Sequence, residues 1–215
     1  AWGWHIGGML KPWRGGFIGL SYYSSSIFKV KGTSELTVNG QPTSTSDNAT
    51  ATLTTPFVVR FDYFQALSHK FGVMVGANYT NWSVFQSYTI YNAAPIHPST
   101  TTTVTLPLGF TNAWQYSLGA RYVMTPKLTM IAGIGIETSP ADPSVKTPTS
   151  LESPNYWTLG ISANYDISQH INLGLSYGHA FFSKHSVDST SAAGIYKGQI
   201  SIDSNVIATS ASITF

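Results

Sequence analysis

Four ionisable residues are the first candidates for chemistry in this sequence: Arg60, Asp62, Arg121 and Glu137. Charged residues make up only 9% of the chain, against roughly 25% in soluble domains, so few other charges can balance them. A guanidinium binds a carboxylate through paired, charge-assisted hydrogen bonds. The four residues therefore predict either a structural network or a site where an arginine binds a ligand carboxylate.

No catalytic arrangement is visible in the sequence. The chain has no cysteine, and its six histidines are scattered without a metal-binding or nucleophile spacing. These histidines are His5, His69, His97, His170, His179 and His185. A net charge of +2 without a basic run argues against a nucleic-acid partner. We predict that the protein is not an enzyme and needs no cofactor; a membrane enzyme would need a serine, a histidine and an acid at one rim.

The composition predicts a membrane protein built from strands. Aromatic residues reach 13% and the mean hydropathy is +0.02, yet apolar runs such as Phe71–Ala77 are far shorter than the roughly 20 residues of a membrane helix. Only helices and closed sheets satisfy their backbone hydrogen bonds in hydrocarbon. The predicted fold class is therefore all-β, an antiparallel transmembrane β-barrel that occupies residues 1–215 as one domain.

Alternation of apolar and polar residues, interrupted by turn residues, marks about nine strands. The predicted segments are Trp2–Leu10, Gly16–Lys31, Thr50–Ala66, Lys70–Tyr91, Thr103–Val123, Leu128–Thr138, Tyr156–Tyr165, Ile171–Lys184 and Lys197–Phe215. Short connections alternate with the long ones Gly32–Ala49, Asn92–Thr102, Ser139–Asn155 and His185–Tyr196. This alternation is typical of outer-membrane barrels, with short periplasmic turns and long extracellular loops.

The alternation also predicts which side of the wall each residue faces. Val75, Ile134 and Leu159 belong to sets expected to contact lipid. The opposite phase places the four ionisable residues on the inside. The apolar residues Met74, Trp82 and Phe182 are expected inside with them.

The strand count leaves alternatives open. Bacterial single-chain barrels have even strand numbers, so either eight strands close alone or an odd number of strands comes from elsewhere. The first residue is Ala1, which predicts either a removed signal peptide or a piece of a longer chain. A small structural or adhesive barrel that acts through its loops is the alternative function, and a soluble β-sandwich is disfavoured by the low surface charge.

Several motifs resemble the outer-membrane long-chain fatty acid and hydrocarbon transporter family (FadL/TodX type), in family order. They are Trp2–Leu10 with Gly19–Ser24, Tyr79–Phe85, Ala132–Pro140, Tyr156–Ala163, Leu173–Tyr177 and the terminal Phe215. The resemblance implies the C-terminal part of a fourteen-stranded barrel in the outer membrane of a Gram-negative bacterium. The family's N-terminal hatch and about its first five strands have no counterpart in the sequence.

The resemblance also implies a function, the passive uptake of hydrophobic compounds such as long-chain fatty acids or hydrocarbons. Arg60 or Arg121 would then hold a fatty-acid carboxylate, while Met74, Trp82 and Phe182 contact the apolar chain. The segments Pro95–Pro98 and Val104–Phe110 could gather a ligand outside the cell or simply pack a loop. Outer-membrane lipid and the barrel assembly machinery are the other expected partners, with Phe215 as the assembly signal.

Overall fold

The structure is a computed structural model, and it describes residues 1–95, 102–141, 155–191 and 194–214. In the described ranges all regular elements are strands, apart from one 3₁₀ turn at Trp82–Val84. In chain order the strands are β1 (His5–Leu10), β2 (Gly16–Tyr23), β3 (Ile27–Val38), β4 (Gln41–Thr54), β5 (Val58–Ala66), β6 (Phe71–Thr80), β7 (Ser87–Ala93), β8 (Thr102–Pro107), β9 (Ala113–Thr125), β10 (Leu128–Glu137), β11 (Tyr156–Asp166), β12 (Ile171–Phe182), β13 (His185–Ser191), β14 (Gly194–Ile200) and β15 (Asp203–Ile213).

Nine strands form the main sheet, in the order β1-β2-β5-β6-β9-β10-β11-β12-β15. Every pair of neighbours is antiparallel, so the chain builds the sheet as a series of hairpins. The sheet is a partial barrel: in the part of the chain that the structure describes, β1 and β15 are its two edges and do not pair with each other. The predicted all-β antiparallel class and the count of nine barrel strands are confirmed.

Short turns join four of the hairpins at one end of the sheet, which we call the short-turn rim. Local chemistry fixes these turns. Gly15 has a φ of 79°, which a residue without Cβ adopts without strain. In two other turns a hydroxyl accepts a backbone N–H, from Phe71 to Ser68 Oγ at 3.0 Å and from Leu128 to Thr125 Oγ1 at 3.0 Å. The longer connections leave from the opposite end, the long-loop rim.

Residues that pair across neighbouring strands lie on the same face of a sheet, so the register defines two faces. Val75, Leu118 and Ile134 pair in one row and belong to the outer face. Leu118 and Ile134 are 54% and 53% exposed, although both are large and apolar. An exposed apolar face of this extent is expected where lipid replaces water. No helix in the described ranges is long and apolar enough to cross a membrane.

Aromatic side chains follow the long-loop rim on the outer face. Ring contacts run from Trp4 to Tyr22 at 5.2 Å, through Phe57 to Tyr79, and from Tyr79 to Trp114 at 4.8 Å. The series crosses the strands from β1 to β9. Trp and Tyr favour the boundary between lipid and water because their rings are apolar and their polar tips remain hydrated. This row therefore has the position of an interfacial girdle.

The predicted boundaries of five segments are wrong. Lys197–Phe215 begins in β14, which pairs with β13 in a separate two-stranded sheet, and the upper halves of the other four belong to a four-stranded sheet. In the structure β3, β4, β7 and β8 form a four-stranded sheet beyond the long-loop rim. The segment predicted at Gly16–Lys31 is divided by Ser24-Ser25-Ser26, and the segment predicted at Thr50–Ala66 is divided by Thr55-Pro56-Phe57. Alternation continues across these breaks, since both sheets need it, so periodicity alone does not reveal where the chain changes sheet.

The stretch Gly32–Ala49, predicted as a loop, is also a hairpin. Asn39 and Gly40 have φ values of 53° and 78°, and they connect β3 directly to β4. Positive φ at both central residues is typical of the type I′ turn that joins two antiparallel strands. The long connections after β6 and β12 contain strands as well. That residues 1–215 form one transmembrane barrel domain stays a prediction.

Candidate functional site

The inner face of the main sheet carries a hollow of about 780 Å³. Among the residues that line it, the large apolar ones in the inward phase are Met9, Phe17, Phe64, Met74 and Ile131. Three of these, Phe17, Phe64 and Met74, pair across β2, β5 and β6, so the register places them side by side. A water-filled barrel has a polar interior. An apolar surface on this face instead favours contact with an apolar molecule.

Glycines form another part of the hollow's floor. Gly119, Gly133, Gly160 and Gly178 pair in succession across β9, β10, β11 and β12, in the same row as Met74. None of the four has a positive φ. A Cβ on Gly160 or Gly178 would meet no atom of the wall closer than 3.8 Å. These two positions are therefore not forced to be glycine by the wall, and bare backbone faces the interior there.

A row of polar side chains, which we call the polar rung, borders the hollow toward the long-loop rim. Asn78, Gln115, Glu137 and Tyr156 pair in succession across β6, β9, β10 and β11. Asn78 Nδ2 donates to Gln115 Oε1 at 2.5 Å, and Gln115 Nε2 donates to Glu137 Oε2 at 3.3 Å. The Tyr156 hydroxyl donates to the same Glu137 oxygen at 2.5 Å. The Glu137 carboxylate is therefore held by two neighbours.

The structure brings some of the predicted residues together and separates others. Asp62 and Met74 line the hollow. Arg60, Glu137 and Phe182 lie on the row of the polar rung, where the rings of Phe182 and Tyr156 are 4.8 Å apart. Arg121 lies three rows closer to the short-turn rim than Gln115 of the same strand, a distance of about 20 Å at about 3.4 Å per residue.

The expected network of four charges does not form in the described part of the chain. The Arg60 guanidinium lies over the ring of Tyr23, with 5.2 Å from Cζ to the ring centroid, and forms no ion pair with a described carboxylate. Glu137 binds neutral partners instead. Arg60 and Arg121 are too far apart to bind one carboxylate together. Whether any of these residues contacts a ligand stays a prediction.

One predicted residue lies beyond the strands of the inner face, and another lies outside the described residues. Trp82 was expected to continue the β6 alternation inward, but the strand ends at Thr80 and Trp82 begins a 3₁₀ turn. Its ring packs edge-on against Phe85 and Phe110, at 6.4 and 5.9 Å between centroids, so its predicted strand position is wrong. Phe215, the predicted assembly signal, lies outside the described residues.

Several residues of the site were not predicted from the sequence. Met9, Phe17 and Phe64 point to the same side of their strands as polar or small residues two positions away. Phe64, for example, follows Arg60 and Asp62 at steps of two. That phase was the available signal for Phe64. The phase of Asn78 was expected to be inward with Met74, but only the register between strands makes one row of Asn78, Gln115 and Tyr156.

The second candidate, the loop segment near Pro95, is only partly described. Ile96, His97 and Pro98 lie outside the described residues. Val104 and Leu106 belong to β8 and are 38% and 47% exposed. No group of three potential metal ligands occurs among the residues that the structure describes. Gathering of a ligand by this segment stays a prediction.

Comparison with known proteins gives a family and a fold. The sequence pattern of the family described as "Outer membrane protein transport protein (OMPP1/FadL/TodX)" matches residues 1–215. A FadL homologue from Pseudomonas aeruginosa superposes with a TM-score of 0.84 at 19% identity, over 98% of this chain and 52% of that one. No curated protein matches the sequence.

Two further solved structures are similar in fold. The toluene transporter TodX from P. putida superposes with a TM-score of 0.69 at 15% identity, over 98% of this chain and 48% of that one. The CymD monoaromatic hydrocarbon channel gives 0.60 at 15% identity, over 98% and 50%. The chain thus spans about half the length of these structures.

Proposed function

Because the chain belongs to the OMPP1/FadL/TodX family of outer-membrane transport proteins, we propose that it forms the wall of a channel for passive uptake of hydrophobic compounds. Proteins of this family are β-barrels of the Gram-negative outer membrane, which confirms the predicted location. They are transport channels rather than enzymes, and the prediction that the protein is not an enzyme is confirmed on that ground.

One observation supports the proposal most directly: the inner face combines an apolar surface with a floor of bare backbone. Phe64 and Met74 offer a migrating apolar molecule an apolar surface. Burial of apolar area against this surface contributes roughly 25 cal/mol per Å² to the free energy of binding. The glycine row keeps the passage wide beside them. We propose that the outer face contacts lipid and that the barrel assembly machinery recognises the terminal strand.

Two types of hydrophobic ligand are candidates, hydrocarbons and long-chain fatty acids. Solved structures of similar fold are described as a toluene transporter and a monoaromatic hydrocarbon channel, so we propose hydrocarbons as the first ligand type. Long-chain fatty acids are the second, favoured by one observation. The Arg60 guanidinium faces the inside near the long-loop rim and forms no ion pair with the described acids, which leaves it available to a carboxylate.

Replacement of Gly160 by phenylalanine tests the proposal. Its Cβ fits the wall, with 3.8 Å to the Tyr177 carbonyl oxygen, so the ring should project into the hollow without disturbing the sheet. Gly8→Phe is the matched control, because Gly8 is on the outer face and a Cβ there would meet nothing within 4 Å.

The assay is uptake of radiolabelled toluene and oleate by Gram-negative cells that lack their own channel of this family and produce the full-length protein. We expect Gly160→Phe to reduce the uptake rate severalfold and Gly8→Phe to leave it unchanged, at equal amounts of heat-modifiable barrel. Uptake that Gly160→Phe does not affect would favour the alternative, a structural or adhesive barrel. The ratio of oleate to toluene uptake decides between the two ligand types.

A further inference from the structure

Asp62 is the charged residue among those that line the hollow in the described part of the chain. It pairs with Gly19 on one side and with Gly76 on the other, so neither neighbour in its row has a side chain. The carboxylate is therefore open to the hollow from both sides. No hydrogen bond or ion pair to it comes from the described residues.

A hydroxyl converges on the same place. Ser117 pairs with Gly76 from the other side, and a Cβ on Gly76 would lie 2.5 Å from Ser117 Oγ and 3.4 Å from Asp62 Oδ1. The Ser117 hydroxyl and the Asp62 carboxylate therefore both lie beside Gly76, close to the space that a side chain at this position would occupy. One row below them begins the apolar surface of Phe64 and Met74. Pockets for small ligands have this composition, mostly apolar with a few convergent polar groups.

The neighbouring cation does not neutralise this site. Arg60 is two residues from Asp62 on the same face, but its guanidinium lies over the ring of Tyr23, which is nearer to the long-loop rim. An ionised carboxylate only accepts hydrogen bonds. Asp62 is exposed on the inner face, so a ligand that reaches it can offer the carboxylate a hydrogen-bond donor in place of water.

From this geometry, and resting on the proposed uptake function, we infer that the hollow selects apolar molecules that carry a hydrogen-bond donor, such as a phenol-type hydroxyl. The donor binds Asp62, Ser117 completes the polar end, and the ring or chain packs on Phe64 and Met74. A ligand carboxylate is repelled at this position, because it would approach a like charge.

Three probes with the same ring test this inference: toluene, 4-methylphenol and 4-methylbenzoate. Binding to the purified full-length protein in detergent is measured by isothermal titration calorimetry. We expect 4-methylphenol to bind roughly ten- to a hundredfold more tightly than toluene, the range expected for one hydrogen bond to a charged group, and 4-methylbenzoate to bind most weakly.

Asp62→Ala should remove the preference for 4-methylphenol and leave toluene binding within a factor of two. Asp203→Asn is the matched control, because Asp203 is exposed on the outer face at the long-loop rim, and it should keep the preference. Heat-modifiable migration on gels checks that each variant is folded.

The outcomes separate this inference from the proposed function. If toluene binds as tightly as 4-methylphenol, or if 4-methylbenzoate binds best, the inference is overturned and the uptake function stands. A preference for 4-methylphenol that survives in Asp62→Ala also overturns it. If none of the three probes binds the unmodified protein, the inference is overturned, and the uptake of toluene and oleate decides the proposed function separately.

Discussion

Replacing Ile134 with arginine should lower the free energy of unfolding in lipid by about 2–4 kcal/mol. Ile134 lies on the outer face, is 53% exposed, and pairs with Leu118 and Leu159 on the neighbouring strands. An arginine at this position would place its guanidinium in hydrocarbon without a hydrogen-bond acceptor. The expected cost therefore depends on how deep the position is.

The depth follows from the aromatic residues of β9. On its outer face Leu118 is four residues from Trp114 in one direction and four from Tyr122 in the other, and Ile134 pairs with Leu118. Four residues rise about 13 Å along a strand, which is about 10 Å along the membrane normal at a tilt of about 40°. Half of an apolar band about 25 Å tall is about 12 Å, so Ile134 lies near the middle of the bilayer.

The measurement is urea-dependent unfolding of the full-length protein in lipid vesicles, followed by the heat-modifiable shift on gels. Met124→Arg is the control at the edge of the band. Met124 lies beyond Tyr122 toward the short-turn rim and is 55% exposed. Its replacement should cost only about 0–1 kcal/mol, because the guanidinium can reach the interface.

The comparison of the two variants is decisive for the assignment of the faces. Equal stability of Ile134→Arg and the unmodified protein would mean that Ile134 faces water or the lumen. Equal losses in both variants would mean that depth has no influence, and the surface would then not be a lipid-facing one.

Two further predictions concern the polar rung and the terminus. Tyr156→Phe removes the hydroxyl that donates to Glu137 Oε2 at 2.5 Å but keeps the ring beside Phe182, so urea unfolding should show a loss of about 1 kcal/mol, whereas Tyr79→Phe in the girdle should show none. Equal effects of the two changes would contradict a supporting role of the hydroxyl. Phe215→Ser should reduce the amount of heat-modifiable barrel in the outer membrane, and an unchanged amount would argue against Phe215 as the assembly signal.

The wall could be predicted from the sequence because each barrel strand meets two different environments. In β10 the outer face needs residues such as Ile134 and Ile136 for lipid, while the inner face accepts Gly133 and Gly135. That contrast repeats at every second residue and needs no knowledge of neighbouring strands. The nine strands and their faces therefore follow from local pattern.

The site depends on the register between neighbouring strands, and the alternation of residues within a single strand carries no information about that register. The turn at Thr125–Leu128 aligns Gln115 with Glu137, because only two residues connect β9 to β10 and leave their register little freedom. The pairing of Asn78 with Gln115 is different, because more than thirty residues with a second sheet separate β6 from β9. The predicted strand position of Trp82 is wrong for a related reason. The alternation of apolar and polar residues continues past Thr80, although the chain has already left the barrel wall.

The rows of the inner face differ in chemistry along the path that a molecule would take. A compound that enters from the long-loop rim meets the polar rung at Glu137 first, then Asp62, and then the apolar row of Phe64 and Met74. Arg121 lies one row further toward the short-turn rim. For passive uptake no single row should bind strongly, because tight binding at one level slows release to the next. Moderate contacts spread over several rows meet this requirement, and the separation of about 20 Å between the levels of Gln115 and Arg121 allows a ligand to leave one before it reaches the other.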